Sequence, residues 1–222
     1  SDQVECRCGE FMLEEFVDGC VDEELTDPSN PLTSRLPECP SSARIFLREP
    51  TSPFLVLFNV ETTFENLSPS QYMEQLSDDF IFIPDPLDID LHPEIYEPPP
   101  NYDATRDTLW AWEDERTFIR ELLNPDVFAK VTFVRWYQSS KDQVEPAEDG
   151  LSELYIFPYE IDFQELPVDG VVETLGLKGR LEVILVTPTT ENPVWTIQRM
   201  VDIRNAATAK RSFGELRAEF GR

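Results

Sequence analysis

The chain has 222 residues with 44 acidic and 18 basic side chains, a net charge of -26, and apolar residues making up 41%. That length and apolar content support one core with appendages, and the acid excess argues against binding a phosphate backbone. No apolar run reaches the roughly 18–20 residues needed to span a bilayer, so no membrane span is expected.

Residues 1–50 read as a separate extension and linker. All four cysteines (Cys6, Cys8, Cys20 and Cys39) lie there, in a polar, loop-rich stretch. An even count so confined reads as two disulfides formed in an oxidising compartment. A Cys6–Cys8 ring is too tight for ordinary disulfide geometry. Two connectivities remain open: Cys6–Cys20 with Cys8–Cys39, or Cys6–Cys39 with Cys8–Cys20. A four-thiolate zinc site is the rival, although the paired CxxC spacing of zinc ribbons is missing. The chain begins at Ser1 with no apolar leader, which suits a processed, secreted, periplasmic or cell-surface product. Only four of the 18 bases are Lys. Acid excess with scarce Lys also fits a high-salt environment, and a GC-rich genome gives the same Arg bias.

Residues 51–205 form the expected main domain. "TSPFLVLFNVETTFENL" opens a helix, with Ser52 as N-cap and Pro53 in the first turn. Phe54, Leu57, Phe58, Glu61, Phe64 and Leu67 mark its predicted stripe. "SPSQYMEQL" repeats that start, and Tyr72, Met73 and Leu76 are its predicted buried face. "FIFIP" then reads as a strand, with "SDD" between helix and strand. "DPLDIDLHPEIYEPPPNYD" reads as an acidic loop too rich in proline for a helix or a central strand. "ATRDTLWAWEDERTFIRELLN" is a third helix, with Leu109, Trp112, Phe118, Ile119 and Leu122 on its apolar side. Four long strands follow within "VFAKVTFVRWYQ", "SELYIFPYEIDFQEL", "VVETLGLKGRLEVILVTP" and "VWTIQRMVDIRN". In the third of these, Gly176 and Gly179 offer places for a bulge. Residues 206–222 read as a basic tail with an amphipathic helix over "SFGELRAEF".

Helix–helix–strand, helix and then four strands predicts an α+β fold, a curved antiparallel sheet with three helices packed on one face. That order, carried by "NVETTFENLSPSQYMEQLSDDFIFIPD", "WEDERTFIRELL" and "VWTIQRMVDI", resembles the nuclear transport factor 2-like superfamily, which includes ketosteroid isomerases and polyketide cyclases. The tail "SFGELRAEFG" is similar to the ending of bacterial secreted or lipoprotein-type members. The resemblance implies a cone-like domain whose open end is a pocket, on a scaffold that hosts both catalysts and binding modules. Another α+β half-barrel is the alternative fold.

Candidate chemistry is sparse. His92 is the only histidine, which all but excludes triads and histidine-rich metal sites, and no glycine-rich phosphate loop exists. Asp162 alternates away from the apolar face of its strand and is expected to face water. Asp85, Asp88, Asp90 and Glu94 form the best oxygen-ligand cluster for calcium; without EF-hand spacing, a solvated acidic loop is the plainer reading. Tyr72, Trp112, Trp136, Tyr159 and Trp195 are the candidate pocket-lining residues, or simply core. No cofactor is expected.

These features point to a secreted, non-catalytic binding or assembly module, with a homo-oligomer or an extracellular protein as partner. An enzyme acting on a flat apolar small molecule is the alternative. Residues 1–31 carry a net charge of -9 and residues 197–222 a net charge of +3, so either the N-terminal arm folds back on its own domain or the termini attract each other between copies.

Overall fold

Proline sets the starts of the first four helices. The computed structural model describes residues 45–104, 107–136, 143–148, 150–191, 193–205 and 207–221. The chain divides into units 1–45 and 46–222. The cysteine-bearing extension lies outside the described residues, and the described helices and strands all belong to the second unit.

Helices α1 (Pro53–Glu65) and α2 (Pro69–Met73) both begin on a proline, where its missing N–H costs nothing. The buried stripe of α1 runs through Val56, Leu57, Asn59, Val60, Thr63 and Phe64. It is rotated from the expected one, and Phe54 is left 44% exposed. The helix is apolar nearly all round, so periodicity alone could not orient it. Polar Asn59 is admitted because its side chain is satisfied by Arg48 backbone atoms and Gln75 Oε1 at 2.7–3.0 Å.

Strand β1 (Leu76–Ile83) starts directly after α2. The expected "SDD" hinge is therefore strand. Its pairing slips between Leu76 and Ile81, so these residues bulge out of register, while the turn itself is Glu74–Gln75. The proline-rich stretch also departs from expectation, forming α3 (Pro86–Leu91) and α4 (Pro93–Tyr96). Each proline sits in a first turn rather than in a helix interior. Asp85 caps α3 by accepting from Leu87 N at 2.9 Å. Helix α5 (Trp112–Leu122) carries Glu113, Asp114 and Glu115 in its first turn and Arg120 in its last, as the helix dipole favours.

The sheet then builds from β2 (Phe128–Arg135), β3 (Gln143–Pro146), β4 (Ser152–Glu165), β5 (Thr174–Val186) and β6 (Thr196–Arg204). Its order is β1-β6-β5-β4-β2, with β3 also on β4. Every pairing is antiparallel except β1 with β6. The fold is α+β as expected, but the curved, unclosed sheet is mixed, and the described residues hold six helices where three and a C-terminal one were expected. Helix α6 (Phe213–Phe220) is capped by Ser212 Oγ, which accepts from Glu215 N at 3.0 Å.

Neither Gly176 nor Gly179 marks a bulge, because the β4–β5 register is continuous. Gly179 instead makes room: a Cβ there would lie 2.5 Å from the Tyr159 hydroxyl. The Tyr159 ring folds across that gap toward the interior. The inward row Tyr155, Phe157, Tyr159, Ile161 and Phe163 is buried as alternation predicts. Each such side chain contributes about 1.5–3 kcal/mol on leaving water.

Candidate functional site

The space between helices and sheet, where the resemblance implies a pocket, is occupied by the chain's own α6. Phe213 stacks on Tyr159 with ring centroids 4.6 Å apart, and lies 6.1 Å from both Trp136 and Phe64. Arg217 enters beside it and is 1% exposed.

Arg217 meets Glu115, which projects from the inward face of α5 and is fully buried. Arg217 Nη2 donates to Glu115 Oε1 at 2.6 Å and Nε to Oε2 at 2.8 Å, the parallel geometry that suits guanidinium to carboxylate. Two further donors hold the carboxylate: Tyr72 Oη to Oε1 at 2.7 Å and Trp110 Nε1 to Oε2 at 2.9 Å. The guanidinium carbon lies 3.6 Å from the Phe82 ring centroid and 4.5 Å from that of Phe118. Burial pulls the Arg217 pKa down, but Glu115 and then Tyr72 offset this and the net shift is upward, so the guanidinium stays charged. Burial, then Glu115, holds the Tyr72 hydroxyl well above its ordinary range.

A second polar cluster fixes the start of α6. Tyr159 Oη donates to Asp202 Oδ1, Gly214 N donates to Asp202 Oδ2, and Phe213 N donates to Tyr159 Oη, each at 2.9 Å. Burial pushes the Asp202 carboxyl up to about 6. Nearby, Asp88 accepts from Ser212 Oγ and Arg204 Nη1, both at 2.6 Å. Each carboxylate oxygen of Glu115, Asp202 and Asp88 thus has a protein donor. The arrangement anchors the start of a helix.

Of the sequence-predicted residues, Tyr72, Trp136 and Tyr159 converge on this interior, linked through Phe64 and Phe213. Trp195 is also buried, just before β6, with its backbone N–H on Pro50 O at 2.8 Å. Trp112 lies apart, on a surface groove of about 560 Å³ between α2 and α5 with Pro69, Met73, Ile119, Arg116 and Arg120. Glu115 and Arg217, the centre of the interior, were not among the predicted site residues.

Asp85, Asp88, Asp90 and Glu94 do not converge. Asp85 caps α3 and accepts from Arg204 N, Asp88 points inward, and Asp90 and Glu94 are exposed. Among the described residues no group of three or more acids, Cys or His is placed to hold a metal ion. His92 lies between α3 and α4, 3.8 Å from Glu94. Asp162 turns outward and receives Lys210 Nζ at 2.5 Å.

The basic C-terminal stretch is largely neutralised within the domain. Arg204 pairs with Asp88 and Glu215, Lys210 with Glu160 and Asp162, Arg211 with Glu219, and Arg217 with Glu115.

The outward sheet face breaks the polar alternation expected of a solvated sheet. Its cross-strand rows are Pro158–Arg180–Ile203, Ile156–Glu182–Val201–Ile83 and Leu154–Ile184–Arg199–Ile81. Most of these apolar side chains are half-buried. Among the described residues the side chains of Arg180 and Glu182 have no hydrogen-bond or ion-pair partner, and Arg199 Nε has no hydrogen-bond partner.

No protein-family model matches the chain, and no curated protein sequence is similar to it. Solved structures of the nuclear transport factor 2-like (NTF2-like) superfamily are similar to it. An NTF2-like protein from Salmonella enterica is 14% identical with a TM-score of 0.44, covering 69% of this chain and 89% of its own. An NTF2-like protein of unknown function in nutrient uptake from Rhodospirillum rubrum is 10% identical with a TM-score of 0.41, covering 69% and 98%. A protein from Novosphingobium aromaticivorans, provisionally assigned as a scytalone dehydratase, is 8% identical with a TM-score of 0.41, covering 72% and 89%. At these identities the likeness is one of fold.

Proposed function

We propose that the protein is a secreted, non-catalytic assembly module whose outward sheet face packs against a second copy. The observation that carries this reading is that face: apolar rows of β4, β5, β6 and β1 surrounding Arg180, Glu182 and Arg199. Glu182 has Arg180 two residues away along its strand and Arg199 on the adjacent row. A two-fold related copy can therefore set each Glu182 against a partner arginine, as an isologous contact requires. Four strands at about 4.8 Å spacing and three to four outward rows give a footprint of roughly 400–500 Å². That falls at the low end for a specific interface and suits a reversible dimer. An isomerase- or cyclase-type reaction would need the space that Phe213 and Arg217 fill.

Light scattering across a concentration series tests it. The expected mass rises with concentration from 25.6 kDa toward twice that value, and Ile184→Glu holds it at the lower one. A wild type that stays monomeric throughout, or an Ile184→Glu variant that dimerises equally well, overturns the proposal.

A further inference from the structure

Arg217 sits in its seat as a ligand sits in a receptor. Most of the seat belongs to the body of the domain: Glu115 and Phe118 on α5, Tyr72 on α2, Phe82 on β1, and Trp110 just before α5. Helix α6 contributes the guanidinium, the Phe213 carbonyl, which accepts from Arg217 Nη1 at 3.3 Å, and the Phe213 ring, whose centroid is 5.2 Å from the guanidinium carbon. The seat is shaped for that group. Tyr72 and Trp110 turn both carboxylate oxygens toward two parallel N–H donors. The Phe82 ring takes the flat face of the cation. An ammonium, a compact point charge, would leave one carboxylate oxygen with only its Tyr72 or Trp110 donor and gain less from the ring.

The helix that delivers the guanidinium is eight residues long, too short to persist alone in water. It is held from outside by Asp88 on Ser212, Asp202 on Gly214 and Arg204 on Glu215. Of the residues before it, 205 and 207–210 contain no helix or strand, while Arg211 is bridged to β5 through Gly176 O and Lys178 N. The guanidinium and most of its seat thus come from separate elements.

We propose that the domain interior is a guanidinium-binding pocket, filled in cis by Arg217, which accepts a free guanidinium group once that side chain is removed. The pocket and the sheet face are independent, so an empty result at one leaves the other standing.

The test is chemical rescue of the full-length Arg217→Ala variant, followed by thermal unfolding and near-UV circular dichroism. Methylguanidinium at millimolar concentration is expected to raise the variant's Tm by several degrees, as linkage to a site predicts. Methylammonium and sodium at equal ionic strength should not, and wild type should not respond. The double variant Glu115→Gln/Arg217→Ala should lose the response. If Arg217→Ala does not fold unaided, recovery of its near-UV signal on refolding with methylguanidinium, and not with methylammonium, is the supporting result. A short arginine-containing peptide run in parallel separates a small-molecule site from one that takes an arginine side chain. Equal response to methylguanidinium and methylammonium, or no response in a folded variant, overturns the proposal.

Discussion

Asp202 should make the protein gain stability on mild acidification. Its carboxyl is fully buried, and burial lifts it from an ordinary 3.8 to about 6, although Gly214 N, Tyr159 and Arg217 favour the charged form. The folded state therefore binds this proton more tightly than the unfolded chain does. Below 3.8 both states hold the proton and no penalty exists; above 6 neither does, and folding carries the full cost of a buried charge. Over that interval the difference amounts to about 3 kcal/mol. Asp202→Asn keeps the shape and removes the charge, so the experiment is urea unfolding of both proteins between pH 4.5 and 7.5. Acids far from Asp202 titrate alike in both and cancel in the comparison; Asp88, which burial also raises and whose charge repels Asp202, is replaced by Asn in both proteins. The protein that keeps Asp202 should gain on the other steadily as pH falls toward 4.5. Parallel curves would refute a titrating Asp202.

Trp195→Ala should cost about 3–5 kcal/mol, because the ring is only 6% exposed; a urea-measured loss below about 1 kcal/mol would contradict its place in the core. Gly214→Ala would put a Cβ 2.5 Å from Asp88 Oδ2, and overpacking of that kind costs about 1–3 kcal/mol. An unchanged Tm would show that α6 sits further from α3. Intact mass should rise by about four hydrogens on reduction if Cys6, Cys8, Cys20 and Cys39 are paired; four free thiols or bound zinc would end that expectation.

Local chemistry was legible in the sequence, and long-range pairing was not. The Ser-Pro starts of α1 and α2 could be read because proline in a first turn has one meaning. The same rule applied to Pro86 and Pro93 was hidden by their density, and α3 and α4 were missed. The parallel pairing of β1 with β6 leaves no local mark, since its partners lie over a hundred residues apart. Short β3 was not predicted, for want of alternation. The interior pair could have been found. Glu115 lies three, four and seven residues before Phe118, Ile119 and Leu122, which places an acid on the apolar stripe of α5. Arg217 likewise sits four residues after Phe213. Charges at core positions need a partner, and these two are each other's.

The β4–β5 ladder also bears on the order in which the chain can fold. Its strands register continuously from Gln164–Thr174 to Ser152–Val186, and just beyond it Val168 and Val171 exchange both backbone bonds around Asp169–Gly170. Such a hairpin closes almost no loop. Joining β1 to β6 instead encloses nearly the whole domain, at a loop-closure cost that grows only logarithmically but must be met before any contact rewards it. The hairpin is therefore the natural nucleus, and β1 docks late. Because Phe82 of β1 is the ring beneath Arg217, the seat for α6 is completed only when that last strand arrives.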